Sequence, residues 1–190
     1  YLALVYKQIP DPRYVDSMTK ALNWIFNAQN PKSGGFRGAD VDAITFNDEV
    51  MSGVLKLFRS IADDDDLYGF FPKELRQKAN EAYDKTLQCI LDCQIKVPMP
   101  DGSVLLTAWG QQHSHETLEP VWARNYEPPA ITASESCGVI RCLMAIENPS
   151  DAVKNAIISA CEWLNRDDIK IWGYELVRKP IDDVVLGGRH

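Results

Sequence analysis

Apolar side chains recur at Met18, Leu22, Ile25 and Phe26 within Tyr14–Gln29, spacings of three and four that predict an amphipathic helix. The run Asn30-Pro31-Lys32-Ser33-Gly34-Gly35 supplies turn residues to end it. A second helix is predicted from about Asn47 to Ala62, with Val50, Val54, Leu57, Phe58 and Ile61 on one face. The acidic run Asp63–Asp66 stops it as a solvated loop; it lacks the alternate spacing and glycine of an EF-hand. A third helix spans roughly Lys73–Gln94 and is broken by Val97-Pro98-Met99-Pro100-Asp101-Gly102. A short apolar segment, Val104–Trp109, leads into a long connection. Helices follow near Ser134–Ile146 and at Asp151–Leu164, separated by the turn residues Pro149-Ser150. The tail Ile171–Leu186 carries β-type residues suited to a short strand or an extended arm. The opening residues YLALVYKQI read as the interior of an uncapped helix, so both ends are read as cut.

A weak internal repeat accompanies this pattern. ALNWIFNAQ at 21–29 and TLQCILDCQ at 86–94 share Leu, Ile and a terminal Gln at matching positions, and ISACEWLN at 158–165 is a looser copy. Spacings of this length suit successive helix pairs. The expected class is therefore all-α. Helix pairs closed into an α/α toroid, with ligand-holding loops on one rim, and a plain antiparallel bundle both fit the repeat.

Composition narrows the partners. The 190 residues suit one domain, or most of one, with ordinary globular hydrophobic and charged content. A net charge of −7 with no basic stripe disfavours nucleic acid. It also opposes an acidic polymer unless a cation or a local Arg cluster bridges the two. No apolar run reaches membrane-spanning length. Five cysteines without a C-x-x-C pair point to buried free thiols rather than disulfides or zinc.

The connection at 105–136 gathers Trp109, Gln111, Gln112, His113, His115, Glu116, Trp122, Arg124, Tyr126, Glu127 and Glu135. Long inter-helix loops rich in aromatic residues are functional more often than disordered, although a structural loop capping a bundle would also serve. Upstream, Ile44-Thr45-Phe46-Asn47-Asp48-Glu49 opens the second helix. Thr45 or Asn47 can be its N-cap, with Asp48 and Glu49 at the positive helix end. The same residues are hard-oxygen donors suited to Ca²⁺. His113 and His115 make a weak zinc pair with no third ligand set by spacing. Glu127 and Glu135 could be the two carboxyls of a glycoside hydrolase, while Thr132 or Ser134 is a ready cap for the next helix.

The segments TFND at 45–48, QIKV at 94–97, LTAWGQQH at 106–113, TLEPVWARNYE at 117–127 and SESCGVIRCLM at 134–144 resemble, in order, the polysaccharide lyase family 10 pectate lyases. The resemblance covers nearly the whole chain. It implies an (α/α)₃ toroid and calcium-assisted β-elimination of polygalacturonate, leaving a 4,5-unsaturated uronate end. It makes Asp48 the calcium ligand and Arg124 the Brønsted base. Asn47, Trp109, Gln112, His113, Tyr126 and Glu135 become residues lining the galacturonate subsites. It further implies a secreted or periplasmic monomer. Two departures stand out: the family's GGWPQ turn is Gly34-Gly35-Phe36-Arg37-Gly38 here, and its aspartate-bearing DNGAT-like segment falls before Tyr1. The chain therefore reads as the central part of a catalytic module, with a catalytically inactive uronate-binding protein as the alternative that these departures leave open. An Arg base demands a much lowered pKa, which a neighbouring cation and desolvation favour; the other role open to Arg124 is a bidentate clamp on a uronate carboxylate.

Overall fold

Asp11 and Pro12 start the first long helix by complementary means. The Asp11 carboxylate accepts the Arg13 N–H, and Pro12 occupies the first helical position, where no N–H is needed. A computed structural model describes residues 1–166, so the strand or arm expected at Ile171–Leu186 lies outside the described residues. The helices are α1 (Leu2–Gln8), α2 (Pro12–Ala28), α3 (Val50–Asp63), α4 (Asp65–Tyr68), α5 (Lys73–Asp92), α6 (Ala133–Met144) and α7 (Asp151–Leu164). The short strands are β1 (Ile44–Thr45), β2 (Lys96–Pro98), β3 (Val104–Leu106) and β4 (Gln112–His113).

Helices α3 and α5 form the principal pair. Met51, Leu55, Phe58 and Ile61 of α3 and Ala79, Tyr83, Cys89 and Ile90 of α5 are buried in one core. Arg76 of α5 donates to Ile61 O and Ala62 O at 2.9 and 2.6 Å, closing off the last carbonyls of α3. Phe26 of α2 stacks on Phe58 with ring centroids 5.4 Å apart. Helices α6 and α7 pack together, and Val139, Leu143, Val153 and Ala156 join the same core.

The two repeat glutamines have equivalent uses. Gln29 Nε2, at the end of α2, donates to Ala82 O and Thr86 Oγ1 of α5, each at 3.0 Å. Gln94 Nε2, just beyond α5, donates to Ala156 O of α7 at 2.9 Å. In each copy one amide joins a helix end to the side of another helix. That is the physical content of the repeat.

The acidic run is not a simple loop. Asp63 ends α3, Asp64 Oδ1 accepts the Leu67 N–H, and the short helix α4 follows. The proline-rich break after α5 is a hairpin in which β2 and β3 pair antiparallel, Lys96 opposite Leu106. The thiol expectation holds in part. All five cysteines are free, and Cys89, Cys93 and Cys142 are buried, but Cys137 and Cys161 are exposed.

Candidate active site

The TFND segment is anchored by backbone pairing. Strand β1 runs antiparallel to β4, with Ile44 opposite His113 and Thr45 opposite Gln112. Just beyond it, Phe46 N and Asn47 N both donate to Gln111 O, at 2.8 and 3.4 Å. Gly110 lets the 130–131 segment approach on the other side: a Cβ there would stand 2.7 Å from Ala130 O, less than any side chain tolerates.

Neither Thr45 nor Asn47 caps the helix. A 3₁₀ turn covers Asn47–Glu49, and Asp48 and Glu49 both adopt left-handed backbone conformations, at φ 54° and 58°. Helix α3 begins only at Val50, with no side-chain cap. Two consecutive left-handed residues without glycine are costly and cluster at functional sites. Asp48 is exposed, and no hydrogen bond or ion pair among the described residues engages its carboxylate. Asn47 is buried, and its Oδ1 meets no donor. A carboxylate and an amide oxygen on successive residues match in kind the donors calcium prefers. Among the described residues no three His, Cys, Asp or Glu gather as a closed cage. Asp48 and Asn47 are the residues of this turn that could offer oxygen to a cation.

Arg124 meets this turn through Glu127. The guanidinium forms an ion pair with the Glu127 carboxylate, with Nε 2.9 Å from Oε1, and Arg124 N donates to Oε2 at 3.3 Å. The same Oε1 accepts Asn47 Nδ2 at 3.2 Å, across 80 residues of sequence. The guanidinium carbon also lies 5.1 Å from the Tyr126 ring centre. Arg124 is substantially exposed, whereas Glu127 is only 3% exposed. Hydrogen bonding to Arg124 lowers the Glu127 pKa against the opposing pull of burial. The reciprocal bond raises the pKa of Arg124. A carboxylate held ionised in this way is a poor general acid, so the hydrolase role considered for Glu127 is disfavoured.

Two residues expected to line subsites belong to the interior instead. Trp109 is fully buried; its indole N–H donates to Ile90 O at 2.7 Å, and its backbone exchanges hydrogen bonds with Ser136 Oγ at 3.0 Å. It cannot present a stacking face. His113 is likewise fully buried, and both ring nitrogens are used: Nε2 accepts Gly110 N–H at 3.1 Å and Nδ1 donates to Leu118 O at 2.7 Å. That pairing fixes the tautomer and leaves no lone pair for zinc or a sugar hydroxyl. His115 is bound elsewhere, with Nδ1 2.8 Å from Ser33 Oγ. Gln112 is buried, and its Oε1 meets no donor. Tyr126 is exposed, and Glu135 is half-buried in the first turn of α6. The exposed indole of the loop is Trp122. Trp122 lies two residues from Arg124 and four from Tyr126, in the same motif, a proximity that the sequence reading did not use.

Burial lowers the pKa of His113, so the folded ring resists protonation. The unfolded ring takes up a proton near pH 6.5, so the unfolded state binds more protons below that value. This contribution to stability is present above about pH 6.5 and is lost as pH falls toward the lower folded pKa. His115, whose pKa is also lowered by partial burial, contributes a slope of the same sign. The melting temperature should therefore fall between pH 7.5 and 5, and His113→Gln should show a lower but flatter profile. An unchanged slope in the variant would remove His113 as the source.

The site lies in neither of two cavities found elsewhere. One, of about 490 Å³, includes Leu55, Arg59, Tyr83 and Cys142; the other, of about 600 Å³, lies between α6 and α7. The exposed Asp48, Trp122, Arg124 and Tyr126 instead form part of an open surface. The turn that carries Asp48 is thus joined, through Asn47 and Glu127, to an ion-paired arginine flanked by exposed aromatic rings. The family model described as pectic acid lyase matches residues 1–186, and the chain belongs to that family. The structure is similar to the family 10 polysaccharide lyase from Cellvibrio cellulosa, at 29% identity and a TM-score of 0.78. It is also similar to a mutant of that lyase in complex with trigalacturonic acid, at 29% identity and a TM-score of 0.77. In both cases 87% of this chain is covered but only 52% of the other, so the chain spans about half the length of the solved structures it matches. No curated protein matches the sequence.

Proposed function

We propose that this chain carries part of the active site of a secreted or periplasmic, calcium-dependent pectate lyase. Its reaction is β-elimination in polygalacturonate, and its helix pairs form an arc of an α/α toroid. The observation that carries this reading is the junction of two distant motifs, TFND and WARNYE, through Asn47, Glu127 and Arg124. Family membership and a relative held in complex with trigalacturonic acid support the choice of substrate.

Elimination removes the C5 proton of a uronate that already carries a negative carboxylate. Bound calcium offsets the charge that develops and makes that proton more acidic. Asp48, unengaged and exposed, would hold the cation beside the substrate carboxylate. Arg124 has the exposure needed to reach the sugar and would take the proton at C5; the C5–H electron pair would become the C4=C5 bond as C4–O breaks, and the departing sugar oxygen would take a proton from solvent. Glu127 opposes that role by favouring the protonated guanidinium, so turnover should require alkaline pH. The exposed Trp122 and Tyr126 rings offer the apolar faces on which sugars stack.

The test is growth of near-ultraviolet absorbance on polygalacturonate with calcium, then with a chelator. A conjugated 4,5-unsaturated end absorbs; a hydrolytic product does not. Chain scission without new absorbance would replace the lyase with a hydrolase, and lyase activity indifferent to chelation would remove the metal. Asp48→Ala should raise the calcium concentration needed for half-maximal rate, because one hard-oxygen ligand is lost. Unchanged calcium dependence in Asp48→Ala would remove Asp48 as a ligand.

A further inference from the structure

We infer that Glu127 is a positioning residue that joins the base-side and cation-side halves of the site into one hydrogen-bonded unit. The inference rests on the lyase reading for its functional consequence, but its structural content is independent of it. Glu127 Oε1 receives Asn47 Nδ2 at 3.2 Å and Arg124 Nε at 2.9 Å, while Oε2 receives Arg124 N at 3.3 Å. Its backbone also closes the loop, since Glu127 N donates to Arg124 O at 2.9 Å and Glu127 O accepts Ala123 N at 3.3 Å. A buried carboxylate with several donors cannot move without leaving charge or polar groups unpaired.

The two halves need such a link. The left-handed pair Asp48–Glu49 has no glycine to relax it and no side-chain cap to hold it. Arg124 sits on a loop segment with no regular secondary structure and would otherwise sample many rotamers. One carboxylate restrains both. The charged and titratable groups acting on Arg124 are Glu127, Tyr126 and Asp40, and Glu127 is the strongest of them. A surface ion pair that merely stabilised a loop would not need burial or a third partner on the TFND turn.

Amide hydrogen exchange on the full chain tests the link without reference to activity. Glu127→Ala should speed exchange in both 46–50 and 121–127, whereas Arg124→Ala should speed it only in 121–127. Glu127→Gln keeps an amide oxygen for Asn47 Nδ2 and should restore protection at 46–50. Protection at 46–50 that is indifferent to Glu127→Ala would overturn the inference.

Kinetics then read the consequence. Glu127→Ala should lower kcat by about 100-fold, as expected for a misplaced reacting group, while KM for polygalacturonate changes far less. Glu127→Ala and Asn47→Ala should each raise the calcium needed for half-maximal rate, and the double variant should need no more than the worse single one. Additive effects, or a fall in melting temperature with kcat intact, would reduce Glu127 to a structural residue. A wild-type chain that exchanges as expected but produces no unsaturated ends would overturn the lyase reading and leave the link standing.

Discussion

Arg124→Ala should lower kcat on polygalacturonate by about 10²–10⁴-fold, the usual contribution of a positioned general base, with a smaller change in KM. Arg124→Lys should be nearly as inactive. Lysine keeps the charge but loses the planar fork, so it cannot both hold the Glu127 carboxylate through Nε and Nη2 and present another nitrogen to the substrate. The structure makes this a demanding test, because Glu127 raises the pKa of Arg124 whereas a base must shed its proton. The neutral fraction grows with pH, so the rate should climb through the alkaline range rather than peak near neutrality. The rival role, a clamp on a uronate carboxylate, predicts something else: KM should rise while kcat holds, and the alkaline climb should be absent. Arg124→Lys with kcat within a few-fold of wild type would end the base assignment. The kcat–KM split decides between the roles without any need to locate the proton.

The parts of the fold legible in the sequence are those governed by local rules. Helix α7 occupies Asp151–Leu164, as expected, because Ser150 accepts the Val153 N–H at its start and apolar residues recur along it. The start of α3 was misread for a nonlocal reason. Thr45 and Asn47 have the chemistry of caps, yet the Gln111 carbonyl accepts the Phe46 and Asn47 amides and the chain then passes through two left-handed residues before α3 begins. Arg124 and Glu127 are three apart and of opposite charge, so their pairing could be anticipated from sequence. That the same carboxylate also receives Asn47 could not, since this depends on how β1 meets β4. The aromatic residues show the same limit. In an extended connection with few regular elements, residue type does not say which ring faces inward. Trp109 lies in the core, whereas Trp122 is exposed.

Trp109→Ala should therefore damage the fold before it touches the sugar. The side chain is fully buried in the cluster with Ile90, Cys89 and Leu143, and its N–H satisfies the Ile90 carbonyl. Removing a buried indole costs roughly 3–5 kcal/mol through lost transfer energy and the cavity left behind. At about 2–4 °C per kcal/mol for a chain of this size, the melting temperature should drop by roughly 6–20 °C. Trp109→Phe separates stability from recognition. It fills most of the space but abandons the Ile90 carbonyl, so a loss of about 1–3 kcal/mol is expected with KM for polygalacturonate little changed. Trp122→Ala should behave in the opposite way, since the ring is 60% exposed: near-normal melting with a raised KM. A Trp109→Phe chain that melts like wild type but binds polygalacturonate poorly would return Trp109 to the substrate surface. The paired melting and KM measurements thus assign each indole to the core or to the sugar.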